Sequence, residues 1–308
     1  MDTGFLDVGS GHRLWWRCLG NPRGLPTLVL HGGPGSGTSQ WYERWFDLDV
    51  HHVVLIDQRN SGRSTPHASS PHVDLTTNTT FHLIEDLERL RTAMGVEAWL
   101  LTGASWGTTL ALAYAQRHPA VVAGMILVST VTTSAREVDW ITRGMSEYFP
   151  AQWREFISAL PIEEQHGNIA KAYNRILMDP DPSVHGPAAA AWCDWESTHV
   201  STDGRPLIDP RFSDKRFRLA FSRIVTHYWA HHAFLPDGDI LARMPALAGV
   251  PATMIHGRQD LSSPLHVAEA IHRAWPGSRL TVVDDVGHGV TLESIRAAVA
   301  DVTAQSHN

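Results

Sequence analysis

The chain has 308 residues, 43% of them hydrophobic and 19% charged, which suffices for a large buried core and excludes disorder except at the ends. Its formal charge of −7, from 25 basic and 32 acidic side chains with no long run of either sign, lacks the basic footprint that nucleic acid or an anionic membrane requires. No apolar run reaches membrane-spanning length, and residues 1–20 hold no basic segment followed by an apolar one, so a cytoplasmic protein acting on a small molecule or peptide is expected.

Short apolar runs at His12–Cys18, Thr27–Leu30 and Val53–Ile56 each end in Gly-, Pro- or Asn-rich punctuation, which predicts strands. Leu83–Met94 carries Leu83, Ile84, Leu87 and Leu90 at helical period between charged residues. Trp99–Thr102 is the next predicted strand, Thr108–His118 the next helix, and Met125–Ser129 another strand. This alternation implies an α/β fold with a mostly parallel central sheet, right-handed crossovers and helices on both faces. From Ser134 to Leu241 the pattern is helical and tryptophan-rich; Thr253–His256 and Leu280–Val283 then resume buried strands. The expected organisation is a core of residues 1–133 and 242–308 with an inserted helical cap of residues 134–241, and fraying beyond Thr303.

Cys18 and Cys193 fit no CxxC or metal spacing; a reduced chain in which both pack inside is the simplest reading, and one disulfide is also compatible with the count. The nineteen histidines include adjacent pairs such as His51-His52 and His231-His232, not pairs spaced to place two ligands on one helix face. Neither a metal nor a cofactor is expected.

Gly103-Ala104-Ser105-Trp106-Gly107 is a G-x-S-x-G match between an apolar strand and a helix, the context in which a sharp turn projects a serine from a sheet. A serine hydroxyl is a weak nucleophile at neutral pH and needs a base whose tautomer is set by a carboxylate. Asp260, in His256-Gly257-Arg258-Gln259-Asp260, and His288, in Val286-Gly287-His288-Gly289, each follow a predicted strand in the order Ser, Asp, His. Asp284 and Asp285 are rival acids, disfavoured because they lie too close along the chain to reach behind His288. His31-Gly32-Gly33-Pro34-Gly35 follows another strand, so the amides of Gly33 and Trp106 are assigned to an oxyanion hole.

The chain resembles the proline iminopeptidases, serine exopeptidases with an α/β-hydrolase core and a helical cap. His31–Gly35 is similar to their HGGPG, Asp57-Gln58-Arg59-Asn60-Ser61-Gly62-Arg63-Ser64 to DQRGxGRS, and Gly103–Gly107 to GGSWG. The likeness runs on through Asn78-Thr79-Thr80, Leu110-Ala111-Leu112-Ala113-Tyr114 and Gly257–Asp260, covering nearly the whole chain. It implies release of an N-terminal residue, typically proline, from a small peptide or amide through an acyl-enzyme.

Trp192-Cys193-Asp194-Trp195-Glu196 resembles the family's WxxWE, which implies Glu196 as anchor of the substrate amine, with Trp192, Trp195 and Gly32 around the substrate. One departure stands out: where the family carries RIENHYF, with a second anchoring glutamate, this chain reads Arg223-Ile224-Val225-Thr226-His227-Tyr228-Trp229. Losing one charge-assisted hydrogen bond, roughly 1.5–3 kcal/mol, weakens amine capture unless Asp194 or another acid compensates. Val225 therefore keeps open a relative recruited to another amide or ester. A non-catalytic binding protein on the same fold is disfavoured by the presence of Ser105, Asp260 and His288 together. Asn60, in place of the usual glycine, is a smaller change at a turn that tolerates positive φ.

Overall fold

The computed structural model describes residues 2–200 and 209–305. Among them are eight strands: β1 (Asp2–Gly9), β2 (His12–Gly20), β3 (Leu25–Leu30), β4 (His51–Ile56), β5 (Trp99–Ala104), β6 (Val122–Val128), β7 (Ala252–Gly257) and β8 (Arg279–Val283). They form one sheet in the order β1-β2-β4-β3-β5-β6-β7-β8. β1 and β2 are antiparallel to their neighbours, and every pair from β4 to β8 is parallel. The fold is α/β, as the strand and helix alternation predicts.

Alternate side chains of each central strand feed two separate cores, because successive Cβ atoms point to opposite faces of a sheet. Leu28 and Leu30 of β3, Leu101 of β5 and Met125 and Leu127 of β6 join one cluster. Val29, Leu100, Ile126 and Val128 join the other. The helices are α1 (Gln40–Glu43), α2 (Thr80–Ala93), α3 (Trp106–Ala115), α4 (Ala135–Thr142), α5 (Pro150–Ser158), α6 (Ile169–Leu177), α7 (Pro182–His199), α8 (Lys215–Ala230), α9 (Asp239–Ala242), α10 (Leu265–Ala274) and α11 (Leu292–Gln305). Residues of α2 and α3 cover the first face, and α1 and α11 the second. No described helix is long and apolar enough to cross a membrane. Fraying was expected beyond Thr303, but α11 runs to Gln305; residues 306–308 lie outside the described residues.

Between β6 and β7 the described chain is helical. Helix α8 bonds this region to the loop after β4: the buried Arg223 donates to Ala68 O and Ser70 O at 2.9 Å, and Tyr228 Oη donates to Asn78 Oδ1 at 2.7 Å. The tryptophans of this region fill its own interior. Trp192 packs edge-on against Phe156, Tyr173 and Trp229, and Trp195 stacks on Phe156 at 5.2 Å.

The segment that resembles DQRGxGRS is a structural knot. Asp57 accepts from Thr38 N and Oγ1 and from Arg63 N, tying the loop after β3 to the loop after β4. Asn60 adopts φ 64, the positive-φ turn expected there, and its side chain bonds Pro66 O and Asn78. Arg59 makes a bidentate pair with Asp86 of α2 at 2.6 and 2.7 Å, both side chains at most 2% exposed. Burial pushes the Asp86 carboxyl up to about 6, and Arg59 holds it from rising further, so the pair is ionised at neutral pH. Removing one partner of a buried pair strands the other charge. Asp86→Ala is expected to lower the unfolding free energy by about 3–5 kcal/mol in urea titrations; a loss below about 1 kcal/mol would mean that Arg59 is satisfied without it.

Candidate active site

The parallel register brings the chemistry-bearing loops to one edge of the sheet. Leu30 of β3 pairs with Gly103 of β5, Ala104 with Val128 of β6, and Val128 with Ile255 of β7. The loops that follow these strands carry Gly32 and Gly33, Ser105, and Asp260; the loop after β8 carries His288. Ligands of open α/β sheets bind at this carboxyl edge.

Ser105 has φ 52 and ψ −124, a backbone strained for a residue with a Cβ. Its amide donates to Val128 O at 2.9 Å, and α3 starts at the next residue. The turn closes because Gly107 lets α3 lie against the end of β3: a Cβ there would stand 2.1 Å from Leu30 O. Trp106, as the first residue of α3, has an amide with no intrahelical acceptor, and it points where the helix end favours negative charge.

Gln58 joins the two halves of the predicted oxyanion hole. Its amide nitrogen donates to His31 O at 2.9 Å, and its carbonyl accepts from Trp106 Nε1 at 2.9 Å. His31 is itself locked: Nε2 accepts from Gln58 N at 3.0 Å, so Nδ1–H donates to Gly32 O at 2.9 Å. Burial lowers the His31 pKa, which suits that neutral form. Gly33 takes φ +109, and a Cβ there would meet Gly35 N at 2.7 Å, so a glycine is required. Gly32 N donates to Tyr42 Oη at 3.4 Å and is committed within the loop.

His288 Nδ1 lies 3.0 Å from Asp260 Oδ2, a geometry that puts the proton on Nδ1 and leaves Nε2 as a lone pair. The aspartate is fully satisfied. Ser263 N donates to Oδ1 at 2.9 Å, and Ser263 Oγ donates to Oδ2 at 2.5 Å while lying 3.1 Å from His288 Nδ1. Behind it, buried His256 accepts from Thr130 N on Nδ1 and donates from Nε2 to Ser263 O at 2.7 Å. Ser129 Oγ donates to His288 O at 2.6 Å and pins the loop. Asp284 pairs instead with Arg258 and Asp285 approaches Gln259, both at the surface. Burial alone would lower the His288 pKa, but the Asp260 charge and hydrogen bond, with Glu196 beyond, outweigh it and raise the value. Asp260 is the mirror case: burial would raise its carboxyl, and His288, His256 and Ser263 bring it down.

Ser105, Gly33, Trp106 and His288 line one small cavity, of about 40 Å³, together with Glu137, Ile141, Glu196, His199, Trp229 and Ser262. A second hollow of about 300 Å³ shares Ser105, Gly33, Glu196 and His288 and adds Gly32. A larger groove between Trp45 and α11 contains none of these groups. Helix α4 is tied to this edge, since Trp140 Nε1 donates to Leu261 O at 2.7 Å, one residue past Asp260.

Residues 26–294 match the alpha/beta hydrolase fold family. A probable proline iminopeptidase of Streptomyces coelicolor is 44% identical over 99% of this chain and 95% of its own length. The proline iminopeptidase of Neisseria meningitidis is 37% identical over 97% of this chain and 96% of its own. The chain belongs to the proline iminopeptidase family of α/β hydrolases. Among solved structures, a proline iminopeptidase of Mycobacterium smegmatis superposes with a TM-score of 0.66 at 22% identity, covering 99% of this chain and 98% of that one, a likeness of fold.

Two family-derived expectations meet a different arrangement. Trp192 and Trp195 line neither cavity; they are 1% and 2% exposed within the aromatic cluster, and Trp106 and Trp229 form the aromatic wall instead. Gly32 lines the second hollow, and its amide donates to Tyr42 Oη. Val225 is fully buried in the apolar core of the helical region and lines neither cavity, and Asp194 is absent from both linings as well. Ser263, Gln58, Ser129, His199 and Glu137 are site residues that motif reading did not assign. Ser263 had a local signal, because a serine three residues after an aspartate is placed to donate back to it.

An NMR titration of the His288 ring is expected to show a midpoint above the ordinary 6.5. In Asp260→Asn the favourable charge is gone and burial remains, so the midpoint should fall below 6.5. A midpoint unmoved by that substitution would contradict the 3.0 Å contact.

Proposed function

We propose that this protein is a prolyl aminopeptidase: a serine hydrolase that releases an N-terminal proline or similar residue from a small peptide or amide. The observation that carries the reading is the Asp260–His288 pair, which shares a cavity edge with Ser105 on a strained strand-to-helix turn, in a chain of this family. In this scheme Ser105 Oγ attacks the scissile carbonyl while His288 Nε2 accepts its proton. The amides of Gly33 and Trp106 hold the oxyanion, and loss of one such donor typically lowers turnover about 10²–10³-fold. His288 returns the proton to the leaving amine. Water then attacks the acyl-enzyme, again deprotonated by His288, and Ser105 is regenerated.

Glu196, which lines both hollows, is the anchor for the substrate ammonium in this reading. Residues 134–241 act as the cap, consistent with Glu137, Ile141, Glu196, His199 and Trp229 reaching the cavity from helices between β6 and β7. Cytoplasmic action fits two buried free thiols, Cys18 and Cys193. A second reading, hydrolysis of a different amide or ester, is favoured by Val225, which supplies no charge where relatives carry a second anchor.

Steady-state hydrolysis of proline p-nitroanilide, alanine p-nitroanilide and p-nitrophenyl acetate separates the two. Proline-selective turnover that falls roughly 10⁴-fold or more in Ser105→Ala is the expected result. Ester turnover alone, lost in the same variant, would replace the peptidase reading with the second one. Since His288 must be neutral to act, activity should fall as pH drops through its raised pKa and hold above it. Undiminished turnover well below pH 6 would remove His288 from the mechanism.

A further inference from the structure

We infer that Glu137 is a second anchor for the substrate ammonium, working beside Glu196 in a chain whose Val225 carries no charge. The inference rests on the aminopeptidase reading above and adds a specificity-determining residue to it. Glu137, from the first turn of α4, lines the cavity that holds Ser105, His288 and Glu196. That lining contains two carboxylates and, among the described residues, no lysine or arginine.

Glu137 is only 9% exposed, yet no ion pair reaches it among the described residues. A buried carboxylate without a cation is costly to keep, and a ligand's ammonium would complete it. It is also held still. Oε2 accepts from Ser134 N at 2.9 Å, from Ser134 Oγ at 2.7 Å and from Thr132 Oγ1, while Oε1 accepts only from Thr132 N at 2.9 Å. A carboxylate oxygen has room for a second donor, so Oε1 keeps capacity for an N–H of the substrate. Holding the group in place beforehand removes the entropy loss of ordering it on binding.

Glutamine can also close the capping-box bond to Ser134 N, so that bond alone does not call for a charge; the donors from Thr132 add to the carboxylate's support. A second, independent sign of unmet polar need lies in the same lining. His199 is 2% exposed, and its Nε2 stands 3.2 Å from Glu196 Oε2 without either atom completing a hydrogen bond. Glu196 lines the cavity, while its Oε2 is buried against the imidazole edge with its hydrogen-bonding capacity unmet. An ammonium in this cavity would be drawn to carboxylates from α4 and α7 at once.

The test uses pyrrolidinium chloride and its uncharged analogue N-acetylpyrrolidine as inhibitors of p-nitrophenyl acetate hydrolysis by the full-length enzyme. Each variant's own ester turnover is the reporter, so only the ratio of the two inhibition constants is read. Glu137→Gln, which can still cap α4, should reduce the preference for the cation about tenfold, as should Glu196→Gln, and the double variant should abolish it. An unchanged ratio in Glu137→Gln would overturn the inference. Should that variant fold poorly, Glu196→Gln decides alone: a remaining preference for pyrrolidinium supports Glu137, and complete loss of preference overturns it. Because the reporter is an ester, the aminopeptidase reading stands or falls separately, on proline p-nitroanilide turnover by the unsubstituted enzyme.

Discussion

The whole catalytic edge depends on one close approach, the Cα of Gly107 against the carbonyl of Leu30. With a Cβ only 2.1 Å from that oxygen, any other residue would push α3 away from β3. The helix could not then begin at Trp106, and the chain could not turn through Ser105 at φ 52. The strain at Ser105 persists because its surroundings over-determine it: the β5 ladder before, α3 after, and Val128 O accepting from its amide. From that fixed point the other parts are placed by hydrogen bonds. Gln58 spans from His31 to Trp106, and Asp57 ties the following turn to Thr38. The residues resembling DQRGxGRS thus tie the loop after β3 to the start of α3.

Most of the core was legible because buried parallel strands are continuous apolar runs ended by turn residues. The runs at Thr27–Leu30, Val53–Ile56 and Thr253–His256 fall inside β3, β4 and β7. The edge strand β1 was not read, and the reason is physical. Asp2–Gly9 is exposed on much of both faces and interrupted by glycine, so it lacks the apolar signature of its neighbours. Its existence follows from antiparallel pairing with β2, a tertiary fact. Helix boundaries moved by a few residues for a similar reason: α3 begins at Trp106, inside the motif, because the turn geometry rather than side-chain periodicity sets its start.

At the site, Ser105, Asp260 and His288 beyond strand ends were readable from motif and order, whereas of the cavity-lining groups from the helical region Glu196 alone was named, through the resemblance. Asp260 could be chosen over Asp284 and Asp285 from chain length alone, and the 3.0 Å contact with His288 agrees with that reasoning. Trp192 and Trp195 show the opposite limit. Their i,i+3 spacing marks a shared helix face, but spacing does not say whether the face meets substrate or a neighbouring helix, and here it meets Phe156 and Tyr173. Glu137 was hidden behind its capping role, since a glutamate three residues after a serine is ordinarily explained by the helix start alone.

The bond from the Trp140 indole to Leu261 O has a kinematic consequence. Helix α4 bears residues that line the cavity of Ser105, and this bond fastens it to the backbone one residue beyond Asp260, which holds the His288 imidazole. A shift of α4 to fit a bulkier side chain therefore drags the Asp260 turn with it. Tolerance and turnover are geared to one another in this molecule. Exchanges along α4 that broaden the range of accepted substrates should reach the rate of bond breaking as well as the strength of binding, so adaptation here has fewer independent directions than a loose lid would allow.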